Sequence, residues 1–100
     1  MLWAISCIDK PNTVAVRDTH LQPHRSYLQS QTRILVLAGA TLTDDGKAAT
    51  GSMFIVNVSS RAEAQAFSGS DPFTQAGVFA SVTISRMRKS QWNPEAAESA

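Results

Sequence analysis

Ile34-Leu35-Val36-Leu37-Ala38-Gly39-Ala40 is the stretch that most limits what this chain can become. Its apolar character is too continuous for a strand with one face in water. Thr43-Asp44-Asp45-Gly46-Lys47 follows as a turn, with Asp-Gly its strongest signal. Gly51 to Val58 is apolar again, so residues 34–58 read as a hairpin within a sheet covered on both sides. Gly39 interrupts the first arm and predicts a bulge or a close approach by another backbone or a ligand.

The flanking segments complete the pattern. Leu2 to Ile8 is a short apolar strand, ended by Asp9-Lys10-Pro11-Asn12. Thr13 to Leu28 is helical in tendency but carries Pro23, which is tolerated in a first turn and costly deeper. The main helix is therefore expected from Thr19 or His20 to about Gln31, with Thr19 and Gln22 as a capping box and 13–18 as a separate turn. Ser60-x-x-Glu63 opens a helix over about 60–67, which Gly69 ends. Asp71-Pro72 starts another short helix, which Gly77 stops. Val78 to Met87 is a last strand, with Ala80, Val82 and Ile84 on one side and Phe79, Ser81 and Thr83 on the other.

The order is β-α-β-β-α-β: an α+β, ferredoxin-like arrangement with a four-stranded antiparallel sheet and its helices on one face. One helical layer leaves the other apolar face bare, and a second copy is the simplest cover, so a homodimer is expected. Residues 1–89 form one domain, and 90–100 form a polar tail in which Trp92 stands alone as an aromatic.

Composition removes several classes of function. A net charge of +1 with scattered basic residues gives no field for nucleic acid or a membrane surface. No apolar run is long enough to span a bilayer, and the N-terminus lacks a secretory pattern. The single cysteine, Cys7, excludes an internal disulfide and fits a reducing cytosol, so a cytoplasmic location is expected. No Gly-rich phosphate loop and no Ser-His-Asp context for hydrolysis is present.

Chemistry concentrates in Arg17 to Leu28, which holds both histidines and the only tyrosine. On a helix, Leu21, His24 and Leu28 share one face, so His24 is carried inward. Its plain role is a core histidine bonded to a backbone carbonyl; its chemical role is proton transfer near neutrality. His20 and His24 have metal-ligand spacing, but no third ligand accompanies them, and no metal is expected. Asp71 before Pro72 is an N-cap by chemistry alone, with one oxygen available to cap and the other to face His24. Asp9 is either a turn residue or a second carboxylate. Arg17 and Tyr27 either hydrogen-bond a phenolate or lie at the surface. Ser52 and Gly39, at neighbouring strand positions, are candidate pocket residues. Cys7 reads as a strand core residue without a base beside it.

The ordered set Asp9-Lys10-Pro11, Arg17, His24-x-x-Tyr27-Leu28, Leu37-Ala38-Gly39, Gly51-Ser52, Asp71-Pro72-Phe73 and Ala76-Gly77-Val78-Phe79 resembles the YCII-like proteins, a group within the dimeric α+β barrels. The resemblance covers about residues 2–88. Leu21 stands where the family usually has arginine, and Ala40 where it often has proline. The resemblance implies a site built on His24 and Asp71 with Asp9 nearby, and Arg17, Tyr27, Gly39, Ser52 and Phe73 as substrate-binding positions. It implies a cofactor-free enzyme acting on a small aromatic, in its most concrete form elimination of HCl from 5-chloro-2-hydroxyhydroquinone to give hydroxybenzoquinone. Two other functions stay open: a non-catalytic dimeric module that binds a small ligand, and, by analogy of fold alone, a cofactor-free oxygenase.

Overall fold

The computed structural model describes residues 1–100. Its elements are β1 (Leu2–Asp9), α1 (Val14–Ser30), β2 (Leu35–Leu42), β3 (Ala49–Asn57), α2 (Arg61–Ser70), α3 (Pro72–Gln75) and β4 (Phe79–Met87), with a 3₁₀ turn over Pro94–Ala97. The strands form one antiparallel sheet in the order β2-β3-β1-β4, the ferredoxin-like topology expected from the order of elements.

Alternation along β1 buries Trp3, Ile5 and Cys7 on one face. Phe54 and Val56 of β3 join them, and Ala64 and Phe67 of α2 pack on top with Tyr27 and Leu28 of α1. Both long helices therefore cover the same face. On the other face Ile8, Leu37, Met53 and Met87 remain exposed.

The hairpin turn forms where Asp45-Gly46 indicated. Gly46 adopts a φ of +74°, and one Asp45 carboxylate oxygen accepts bonds from the Thr43 hydroxyl (2.6 Å) and the Lys47 amide (3.0 Å). These bonds hold the Asp45 carboxyl below its ordinary value. The bulges expected at Gly39 lie elsewhere: pairing shifts between Leu35 and Leu37 and again between Thr41 and Leu42, while Gly39 pairs regularly with Met53. The close approach belongs to Gly51, where a Cβ would collide with the Cys7 carbonyl oxygen and crowd Thr41 Oγ1 at 2.9 Å.

Two further expectations are corrected. First, α1 is one continuous helix with Pro23 inside it, not a turn followed by a helix from Thr19. Pro23 and Thr19 are both exposed, so the Thr19 carbonyl that loses its helical donor faces water. The Thr19–Gln22 box does not form; the Thr19 hydroxyl donates to the Ala15 carbonyl instead (2.9 Å). Second, Phe79 lies on the core side with Ile84, not opposite it. Pairing jumps from Ile8–Ser81 to Asp9–Phe79, and the extra residue in β4 turns Phe79 inward.

The Ser60 box does form: Ser60 Oγ accepts the Glu63 amide (3.2 Å), and Glu63 accepts the Ser59 amide (2.6 Å). Helix α2 runs through Gly69 to Ser70 and ends because Pro72 forces Asp71 into an extended conformation (φ −64°, ψ 126°). Asp71 then caps α3, accepting the Phe73 amide at 2.9 Å, and Gly77 at φ +76° stops it.

Candidate active site

Helix α1 brings its inner face over the end of β1 and against α3. Arg17 and His24, seven residues apart, lie on that face two turns from each other. Each meets a carboxylate, and the two carboxylates differ.

Arg17 takes Asp9. Its Nε donates to Asp9 Oδ2 at 2.7 Å and its Nη2 to Asp9 Oδ1 at 3.0 Å, a two-point clasp on the last residue of β1. Nη2 also donates to the Gly51 carbonyl (2.8 Å) and to Ser52 Oγ (3.1 Å), tying α1 to β3. Nη1 is the one guanidinium nitrogen without a bond inside the chain.

His24 takes Asp71. His24 Nδ1 lies 2.7 Å from Asp71 Oδ1. A carboxylate there requires the proton on Nδ1, which leaves Nε2 with its lone pair. Nε2 has no partner within the chain and is not sealed from solvent. The ring is held flat on Phe73, with centroids 3.8 Å apart and planes 7° from parallel, and Phe54 approaches it edge-on at 6.4 Å. Phe73 also lies under the Arg17 guanidinium, 4.9 Å from its centroid.

Asp71 is 1% exposed. The same oxygen, Oδ1, accepts from His24 and from the Phe73 amide, so capping and pairing are not divided between two oxygens as expected. Oδ2 is buried without a partner, as is Thr74 Oγ1 three residues on. Asp9 makes no bond to His24; its two oxygens are taken by Arg17.

The remaining expected positions divide. Ser52 is buried and faces Arg17. Gly39 lies on the opposite face of the sheet, paired with the exposed Met53, so Gly39 and Ser52 do not line one pocket. Tyr27 donates its hydroxyl to the Phe67 carbonyl (2.8 Å), and burial raises its pKa, so the phenol stays protonated. Phe73 forms a platform beneath His24. His20 joins no cluster, and no group of three or more His, Cys, Asp or Glu side chains is placed so that it could hold a metal ion.

Sequence reasoning missed the part that Gly51 plays. Gly51 supplies a carbonyl to Arg17 and a close strand contact; its signals were its place at the start of an apolar strand and the Gly51-Ser52 match within the family resemblance. Cys7 is the strand core residue that was expected, and it sits within the same charged neighbourhood. Burial first, then the Asp71 and Asp9 carboxylates, push its thiol up to about 12 against the opposing effect of Arg17, so it is no nucleophile. A groove of about 550 Å³ borders Asp9 and Arg17 and runs between Lys10–Val14 and Lys47–Thr50.

Comparison with known proteins agrees with the topology. The YCII-related domain family matches residues 1–88. The chain belongs to the YCII-related family. One relative in that range of similarity is an uncharacterized protein of Haemophilus influenzae, 31% identical over 89% of this chain and 98% of its own length. Among solved structures, the 5-chloro-2-hydroxyhydroquinone dehydrochlorinase TftG of Burkholderia phenoliruptrix, in complex with 2,5-dihydroxybenzoquinone, superposes with a TM-score of 0.81. It is 34% identical, over 88% of this chain and 94% of TftG. A YCII-related chain this close to TftG shares its fold, and no helix here is long and apolar enough to cross a membrane.

Proposed function

We propose that this YCII-related protein is a cofactor-independent enzyme that eliminates HCl from a chlorinated hydroxyhydroquinone, with His24 as proton carrier and Asp71 as its partner. One observation carries the reading: His24 is fixed by Asp71 at Nδ1 and by Phe73 across its face, with Nε2 left free. A histidine held in one tautomer beside a buried carboxylate can accept a proton at Nε2, and the carboxylate stabilises the imidazolium that results. The similarity to TftG supplies the substrate class.

The reaction balances without an outside oxidant. Nε2 takes a phenolic proton, and electron density moves into the ring. The imidazolium returns that proton to the chlorine-bearing carbon, giving a ketone whose sp³ carbon holds both H and Cl. A second hydroxyl proton is then lost as chloride departs with the C–Cl electron pair. The ring is oxidised to hydroxybenzoquinone, the carbon that bore chlorine is reduced to C–H, and HCl is the other product. Acid–base steps of this kind are each worth roughly 10²–10⁴-fold. Arg17 Nη1 is the free donor available to a phenolate oxygen or the departing chloride, while Ser52 Oγ accepts from Nη2 and the Phe73 ring lies under the guanidinium to hold it in place. The exposed apolar residues Ile8, Leu37, Met53 and Met87 support a homodimer formed through the bare sheet face.

The test is anaerobic incubation with 5-chloro-2-hydroxyhydroquinone while chloride is measured. Release by the wild type that is lost in a folded His24→Ala variant supports the reading. Binding without release favours a ligand-binding module, and turnover only with oxygen favours an oxygenase.

A further inference from the structure

We infer that Tyr27 is a positioning residue for the His24–Asp71 pair and does not touch substrate, an inference that rests on the acid–base reading above. Two side-chain hydrogen bonds join α1 to the segment 61–75: His24 to Asp71, and Tyr27 to the Phe67 carbonyl. They form two rungs one helical turn apart, because His24 and Tyr27 are three residues apart on α1 while Asp71 and Phe67 are four apart at the end of α2.

The second rung fills a gap that the first one creates. In a continuing helix the Asp71 amide would bond the Phe67 carbonyl. Pro72 forces Asp71 out of the helix, and its amide turns to the Ser68 carbonyl at 3.3 Å. The Phe67 carbonyl thus loses its helical donor, and the Tyr27 hydroxyl replaces it at 2.8 Å. The bend that aims the Asp71 carboxylate at His24 is therefore closed by a side chain from the helix that carries His24. The Tyr27 and Phe67 rings also pack, with centroids 5.7 Å apart, and a phenylalanine would keep that contact.

The experiment uses Tyr27→Phe in the full chain, with two readouts. Steady-state chloride release should show kcat lowered by about tenfold to a hundredfold with KM within about twofold of wild type, the cost of a slightly misplaced pair. The NMR resonance of the His24 Nδ1 proton, assigned by its loss in His24→Ala, should weaken through faster exchange. That signal comes from folded molecules alone, so a lower yield of folded protein does not affect it. A raised KM with an unchanged resonance would mean substrate contact and would overturn the proposal, as would no change in either readout. If the wild type releases no chloride, the acid–base reading fails, and the resonance still decides whether Tyr27 positions the pair.

Discussion

His24 Nδ1 lies 2.7 Å from Asp71 Oδ1 across 47 residues of chain, and that oxygen also caps α3. Asp71→Asn separates the two duties. Asparagine caps a helix about as well as aspartate, so thermal stability should change by less than about 1 kcal/mol. It lacks the charge that stabilises an imidazolium, so kcat should fall by roughly 10²–10⁴-fold. Asp71→Ala should lose the same activity and about 1 kcal/mol more stability. Urea unfolding and chloride release on the two variants check this, and an active Asp71→Asn would sink the pairing.

Arg17→Met leaves Asp9, whose side chain is 8% exposed, without its counter-charge. Breaking one side of a buried pair costs about 3–5 kcal/mol. Asp9→Asn in the same background should recover part of that loss, because the stranded charge is gone. A double-mutant cycle by urea unfolding gives the coupling, and additive single effects would show that the pair contributes little.

Gly51 and Gly39 should answer alanine in opposite ways. A Cβ at Gly51 meets the Cys7 carbonyl and forces β1 and β3 apart, while one at Gly39 meets nothing within 4 Å. Gly51→Ala should cost about 1–3 kcal/mol or more, and Gly39→Ala should be tolerated or slightly stabilising. Melting temperatures of the two variants decide it.

Pro23→Ala should stabilise the protein. The proline lies mid-helix on an exposed face, and alanine restores the bond to the Thr19 carbonyl without touching the core. The intrinsic penalty of proline is about 3 kcal/mol, of which a gain of about 1–3 kcal/mol is expected in calorimetry. No gain would mean that α1 is bent to suit Pro23.

Cys7 should resist iodoacetamide at pH 8 while folded and react on unfolding. Its thiol is held protonated to about 12, against an ordinary value near 9. The folded state thus binds this proton more tightly than the unfolded state. The resulting stability is whole below pH 9 and is lost as pH climbs toward 12. Wild-type stability should fall more steeply above pH 9 than that of Cys7→Ala, and parallel curves would count against the shift.

The strand order was legible because each strand is a short apolar run bounded by chemistry that stops it: Pro11, Asp45-Gly46, Ser60 and Gly77. His24 was legible as inward-facing from its spacing to Leu21 and Leu28. Its partner was narrowed to Asp71 or Asp9 by resemblance, and only the structure gives each carboxylate its own cation. That choice depends on how α1 lies over β1, which no local pattern encodes. The interior position of Pro23 was illegible for a similar reason: its cost depends on whether the freed carbonyl meets water. Gly39 and Ser52 looked like neighbours because strand register, not residue type, assigns faces.

One oxygen serving both α3 and His24 ties chemistry to the endurance of four residues. Helix α3 is a single turn, shorter than any helix that persists alone in water. When it frays, Asp71 loses the amide that orients it, and the imidazole loses its anchor at the same moment. On the acid–base reading proposed above, activity should therefore be lost on heating before the sheet unfolds, at a temperature set by Pro72 to Gln75.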